Sequence, residues 1–166
     1  RQTWLRITGK FHRYGYAAVC FGDPLSLTDF YTRSHSDPAL AVGEELMARI
    51  AKAMPITPVP LVCHALVNGT KTQAELERFV TDRIAAAKSR GAIIHIPRDD
   101  IGYTIEAGLR ALTERRLLSI DDTGALHVSE AGTRMAGFYA ASVAHLLDEA
   151  PESSVHDTPE SRISAT

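Results

Sequence analysis

The run Tyr16-Ala-Ala-Val-Cys-Phe-Gly-Asp-Pro-Leu-Ser-Leu27 constrains the fold of this chain more than any other stretch. It reads as a hydrophobic strand over Tyr16 to Phe21 that stops at Asp23-Pro24, because proline has no N–H to give to a ladder. A lone strand makes no sheet. The rest of the chain is mainly helical, so the backbone groups of Tyr16 to Phe21 need partners from residues upstream of Arg1. The chain also begins with Arg rather than Met. The expectation is therefore the last strand of a domain whose earlier part precedes Arg1, in a chain that forms the C-terminal part of a longer protein.

Local signals after that strand are mostly helical. Ser26, followed by Asp29, reads as an N-cap with an acid in the first turn, starting a short helix from Leu27 to about Arg33. Ser26 sits at a strand-to-helix turn but lacks the flanking glycines of a nucleophile elbow, so capping is its expected role. Ser34 to Asp37 reads as a loop. Leu40, Leu46, Met47, Ile50 and Met54 then fall near one face of a helix ending before Pro55. Pro60 and Asn68-Gly69 bracket an apolar run, Val59 to Val67, that reads as a short buried helix with His64 as a hydrogen-bonded core residue. Thr72-Gln-Ala-Glu75 is a capping box, opening a helix to Arg90 that ends at Gly91 and turns Leu76, Phe79, Val80, Ile84 and Ala87 inward.

Ala92 to Ile96 is a short strand candidate. Asp99 or Asp100 caps the next helix, whose Ile101, Ile105, Leu109 and Leu112 share a face. Leu117 to Ile120 and Ala125 to Ser129, joined by Asp121-Asp-Thr-Gly124, read as a β-hairpin. Ser129 caps a last helix that is expected to bury Met135, Phe138, Tyr139, Val143 and Leu146. From Pro151 onward Ser, Thr, Glu, Asp and Pro dominate and disorder is expected.

At 166 residues and 45% hydrophobic the chain can bury a core, and no apolar run approaches the ~18–20 residues of a membrane-spanning helix. Cys20 and Cys63, the only cysteines, lie in apolar surroundings and read as buried free thiols of a reducing compartment. Net charge is −2, unevenly spread. Arg1, Arg6, Lys10 and Arg13 precede the first acid, Asp23. Trp4, Ile7 and Phe11 share a helical face flanked by these cations, an amphipathic pattern that suits packing on an upstream core or an anionic membrane surface. Lys10 and Arg13 are candidate contacts for a phosphorylated substrate, on charge alone.

Four segments carry a resemblance. Phe21-Gly22-Asp23-Pro24 with the Ser-Leu helix start resembles the segment that follows the catalytic core in bacterial glycerol-3-phosphate acyltransferases and their dihydroxyacetone-phosphate relatives. Leu46-Met47-Ala-Arg49-Ile50 resembles the family's Leu-Met-x-Arg-Ile helix, and Leu61-Val-Cys63-His-Ala65-Leu66 its Leu-Cys-Cys-Thr-Ala-Leu-Leu stretch. Phe138-Tyr139 with Ala144-His145-Leu146-Leu147 resembles its closing helix. Order and spacing agree over Phe11 to Leu147. The resemblance implies transfer of a fatty acyl group from acyl-CoA or acyl carrier protein to the 1-hydroxyl of glycerol 3-phosphate. A His is the general base and an Asp five positions later orients it, with no metal, cofactor or covalent intermediate. It also implies a peripheral location on the cytoplasmic face of the cell membrane.

The family's His–Asp pair and its Glu-Gly-Thr-Arg stretch belong before the Tyr16 strand, and neither occurs in place here. No catalytic residue is therefore expected in this chain, and Phe21 to Pro24 is a structural motif. His95 and Asp100 have the pair's separation but follow Phe21-Gly22-Asp23-Pro24, and read as a strand-end His beside a helix-capping Asp. The expected fold is α+β and mainly helical: residues 1–33 end an α/β acyltransferase core, residues 34–150 form a helical domain with a small hairpin, and residues 151–166 form a tail.

Helix, strand, helix and hairpin in that order also outline a winged helix, with Ile101 to Arg116 as recognition helix and Asp121 to Gly124 as wing tip. Arg110, Arg115 and Arg116 would be its phosphate contacts. Yet Lys71 to Arg116 holds nine basic and seven acidic residues, a thin surplus for nucleic acid, and the wing tip carries two acids. Nucleic acid is not an expected partner. Metal ligand patterns, a Gly-rich phosphate loop and a Gly-x-Ser-x-Gly elbow are all missing from the sequence.

Overall fold

A computed structural model describes residues 16–32 and 37–148. The amphipathic segment Arg1 to His12, with Lys10 and Arg13, and the tail from Pro151 lie outside the described residues, as does the Ser34–Ser36 part of the first loop. The described part is mainly helical: α1 Leu27–Tyr31, α2 Pro38–Ala53, α3 Pro58–Val67, α4 Gln73–Ser89, a 3-10 turn Pro97–Asp99, α5 Ile101–Thr113, strands β1 Leu118–Ile120 and β2 Leu126–Val128, and α6 Glu130–Leu147.

The core is organised around α3. Pro58, Leu61, Val62, Cys63, His64 and Ala65 are all buried, and a helix apolar on every side must be covered on every side. Helix α6 packs along it most extensively, α5 next, and α4 closes a third side. Two glycines permit the close approach. A Cβ on Gly108 of α5 would meet Val62 Cγ2 at 2.5 Å and the Pro58 carbonyl oxygen at 2.8 Å. One on Gly132 of α6 would meet the Leu117 carbonyl oxygen at 2.1 Å. Such contacts leave no room for a methyl group, so Gly108 sets the spacing of α5 from α3 and Gly132 that of α6 from the Leu117–Val128 hairpin.

The expected punctuation is present. Ser26 accepts the Asp29 N–H at 3.3 Å to start α1, and Asp37 accepts the N–H groups of Ala39 and Leu40 to start α2. At α4 the Thr72 hydroxyl accepts the Glu75 N–H, while the Glu75 carboxylate reaches back to the N–H groups of Lys71 and Thr72. Gly91, at φ +79°, closes α4 with the Ala92 N–H on the Ala87 carbonyl and its own on Lys88. Asp100 caps α5, and Ser129 caps α6. The strands are antiparallel, with Leu118 opposite Val128 and Ile120 opposite Leu126. Leu126 N–H also bonds the Lys71 carbonyl at 2.8 Å, pinning the hairpin to the start of α4.

Tyr16 to Phe21 runs without ladder bonds among the described residues, its expected partner strands being ones upstream of Arg1. Two expectations are corrected. Ala92 to Ile96 is reduced to a single parallel bridge, Ile94 with Ile56. The shared apolar face of α2 is open: Leu40, Leu46, Met47 and Ile50 are 42–65% exposed, and α2 has no buried residue. In α6 the inward face is Gly132, Ala136, Ala140, Val143 and Leu147, leaving Met135 and Phe138 exposed. At Gly132 the obstacle is the hairpin: an added Cβ would meet the Leu117 carbonyl oxygen and Val128 Cγ1, so size outranks hydrophobicity at that position.

Candidate functional site

The segments that carried the resemblance come together. Arg49 of α2 donates from one terminal nitrogen to the carbonyl oxygens of Asp23 (3.2 Å) and Pro24 (3.0 Å), while its Nε bonds Glu45 at 2.7 Å. The Leu-Met-x-Arg-Ile helix thus clamps the Phe-Gly-Asp-Pro turn, and Gly22 lies so close that a Cβ there would be 3.4 Å from Ala53 Cβ. At its far end α2 is tied to α6 by His145, whose Nε2 lies 3.0 Å from the Ala51 carbonyl oxygen. Helices α3 and α6, the other two segments, form the most extensive contact of the fold.

Along this clamp runs a shallow groove of about 430 Å³, lined by Ala18, Val19, Cys20, Leu46, Ile50 and Met54 among others. Val19 (80% exposed) and Phe21 (93%) continue it outward. Together with the open face of α2 they make an apolar surface of a kind that water-exposed proteins rarely leave uncovered.

His95 and Asp100 do not form a catalytic pair. The Asp100 carboxylate accepts the Tyr103 N–H at 3.0 Å as the α5 cap, and His95 is exposed, its ring 5.2 Å from that of Tyr16. His64 is a core residue as expected, with Nε2 2.9 Å from Asp148 Oδ1 and 3.5 Å from Asn68 Nδ2. Its Nδ1 is buried without a partner. Beside it Cys63 is fully buried, and desolvation pushes its thiol up to about 12, far from a reactive thiolate.

A second cluster lies where residue 16 meets α5. The Arg98 guanidinium carbon sits 4.0 Å from the centroid of the Tyr103 ring, and that of Arg110 6.0 Å from it. Tyr16 donates its hydroxyl to that of Tyr103 at 3.4 Å. This bond, and a second one from Arg110, lower the acidity threshold of the Tyr103 phenol below the ordinary tyrosine value, whereas that of Tyr16 is raised, first by its bond to Tyr103. Arg98 and Asp99 both have left-handed backbone, at φ 60° and 53°. The sequence offered Arg110 only as a nucleic-acid contact. Tyr103 lies seven residues before it on the same helix face, a visible signal, but nothing local indicates Tyr16 or Arg98.

Among the described residues no group of three His, Cys, Asp or Glu side chains has metal-ligand geometry, and no helix is long and apolar enough to cross a membrane. No curated protein and no solved structure matches the chain. A family match covers residues 4–150, taking in the Arg49 clamp, the α3–α6 core and the hairpin. The chain therefore belongs to the glycerol-3-phosphate acyltransferase C-terminal region family.

Proposed function

We propose that this chain is the C-terminal portion of a glycerol-3-phosphate O-acyltransferase of phospholipid biosynthesis. The parent enzyme transfers a fatty acyl group from acyl-CoA or acyl carrier protein to glycerol 3-phosphate. The observation that carries the reading is the family match over residues 4–150. On this reading the chemistry belongs to residues upstream, and residues 1–166 contribute no catalytic group. Their role is to support the catalytic core. Val19, Phe21, Leu40, Met47 and Ile50 form an open apolar surface beside the turn that Arg49 clamps, and the core preceding Tyr16 is its occupant. The enzyme works peripherally, at the cytoplasmic face of the cell membrane. Nucleic acid is not a partner. Asp121, at the hairpin tip, is held ionised by its bond to His127, with Thr123 and the Ala125 N–H adding to this, and would repel a phosphate backbone.

Sequencing the gene upstream of Arg1 is the first test, and a His followed five positions later by Asp, then Glu-Gly-Thr-Arg, is expected. A protein extended to include that region should acylate glycerol 3-phosphate, with residues 1–166 alone giving no turnover. Turnover by residues 1–166 that is lost in His95→Ala would overturn the assignment.

A further inference from the structure

The groove beside the Arg49 clamp is walled on both sides by apolar side chains. One wall is the extended stretch Ala18, Val19 and Cys20, and the other is the α2 face Leu46, Ile50 and Met54. Val19 is 80% exposed, Ile50 56% and Leu46 42%, so large apolar side chains meet water along a trough of about 430 Å³. The walls are tied together: Arg49 donates to the Asp23 and Pro24 carbonyl oxygens across the trough, and at its floor a Cβ on Gly22 would lie 3.4 Å from Ala53 Cβ. A trough held open in this way cannot close on itself to hide its apolar lining.

The chain that leads into one of these walls carries a matching stripe. Residues 4–11 lie outside the described residues and join the wall through residues 12–17. Trp4, Ile7 and Phe11 recur at helical spacing, and as a helix this stripe rises about 10 Å. Leu46, Ile50 and Met54 recur every fourth residue and rise about 12 Å, so the two stripes agree in length and suit helix-on-helix packing. Six connecting residues reach about 20 Å when extended, enough to double back along the trough, and Gly15 among them permits the turn. Charge agrees in sign. Residues 1–15 hold Arg1, Arg6, Lys10 and Arg13 and no acid, whereas residues 16–53, which supply both walls, hold five acids and three bases. Asp23 at the groove and Glu44 on α2 are exposed and in no ion pair among the described residues, while Arg49 is already engaged by Glu45. A second copy seated in the groove by its own α2 would set the same acids against each other. Tethering favours the preceding segment further, because so short a link presents it at an effective concentration on the order of millimolar.

We propose that residues 4–11 dock as a helix in this groove, with Trp4, Ile7 and Phe11 against Val19, Leu46 and Ile50. This rests on the reading of the open surface as one covered by preceding chain, and it narrows the occupant of the groove to a segment within the 166 residues. Phe21, Leu40 and Met47, which do not line the trough, remain for chain upstream of Arg1.

Trp4 is the only tryptophan, so its fluorescence reports the segment directly. In the full 166-residue chain its emission should be blue-shifted, and its quenching by acrylamide slowed, relative to a synthetic peptide of residues 1–15. Leu46→Glu and Ile50→Glu should each move both readings to those of the peptide. Neither residue belongs to the core around α3, so cooperative unfolding of that core should persist in both variants and keep the comparison valid. Phe138→Glu removes an exposed ring from α6 and should leave Trp4 unchanged. The acyltransferase reading is judged separately, by upstream gene sequence and turnover, so its failure and a failure here are distinguishable. Peptide-like emission in the wild-type chain, or a blue shift untouched by both α2 variants, overturns the proposal. A blue shift that disappears on dilution together with a dimer in sedimentation also overturns it and assigns the groove to a second copy. One that appears only with phosphatidylglycerol-containing vesicles overturns it in favour of a membrane surface.

Discussion

Gly108→Ala is the substitution on which the packing argument can be judged. In an exposed helix the change gains about 1 kcal/mol, because glycine gives up more backbone freedom on folding than alanine. At residue 108 the new methyl would lie 2.5 Å from Val62 Cγ2 and 2.8 Å from the Pro58 carbonyl oxygen. Ordinary carbon contacts are about 3.5–4.0 Å, so α5 and α3 must part by roughly 1 Å. Helix α3 cannot give way, because Leu61, Val62 and Cys63 are all packed at 0–2% exposure. Overpacking of this kind costs about 1–3 kcal/mol, and a backbone atom among the obstacles places the cost at the upper end. The net is a destabilisation of about 2 kcal/mol, or a thermal midpoint lower by about 4–8 °C for a chain of this size. Gly43 in α2 and Gly137 in α6 have nothing within 4 Å of the added methyl. Alanine at either should therefore stabilise by about 1 kcal/mol. Urea unfolding followed by far-ultraviolet circular dichroism reads all three. The reasoning is refuted if Gly108→Ala is as stable as wild type, or if the three variants move together.

Two further outcomes follow from titrating groups. The Glu75 carboxylate is held below its usual 4.5, first by the Lys71 N–H and also by that of Thr72. Its contribution to stability is present above 4.5 and is lost as pH falls through the lower folded value. In Glu75→Gln the fall in urea midpoint between about pH 7 and about pH 3 should shrink, and an unchanged fall would contradict the capping box as its source. Cys63, buried and pushed up to about 12, should resist an aromatic disulfide reagent in the native protein, while half-buried Cys20 reacts first. Rapid release of two equivalents before denaturant is added would refute that burial.

The parts of the fold that were legible are those decided over a few neighbouring residues. Thr72 and Glu75 satisfy each other's orphan N–H groups within one turn, so the box could be read before any packing was known. The Asp121 loop is similar, since its carboxylate takes the N–H groups of Thr123 and Ala125 at 2.9 and 3.0 Å and closes the hairpin locally. The Tyr16 segment pairs with nothing among the described residues, because composition can suit a strand but only a neighbouring strand makes one. The Arg49 clamp was half legible: both ends lay in recognised segments, but their contact spans 26 residues.

By itself, then, the sequence determined the helix starts and stops, the hairpin and the family, all of which rest on short-range hydrogen bonding or on residue order. The tertiary structure alone decided which helix faces were buried. Met135 and Phe138 are more apolar than Gly132 and Ala136, yet the latter are buried, and at Gly132 the Leu117 carbonyl oxygen of the adjoining hairpin leaves no room for a side chain. It alone also brought Tyr16 to Tyr103, 87 residues apart, and so made a cluster of arginines and phenols that no local pattern contains. Hydrogen bonds within a turn are written in neighbouring letters, whereas steric fit between helices depends on distances that exist only once the chain has folded.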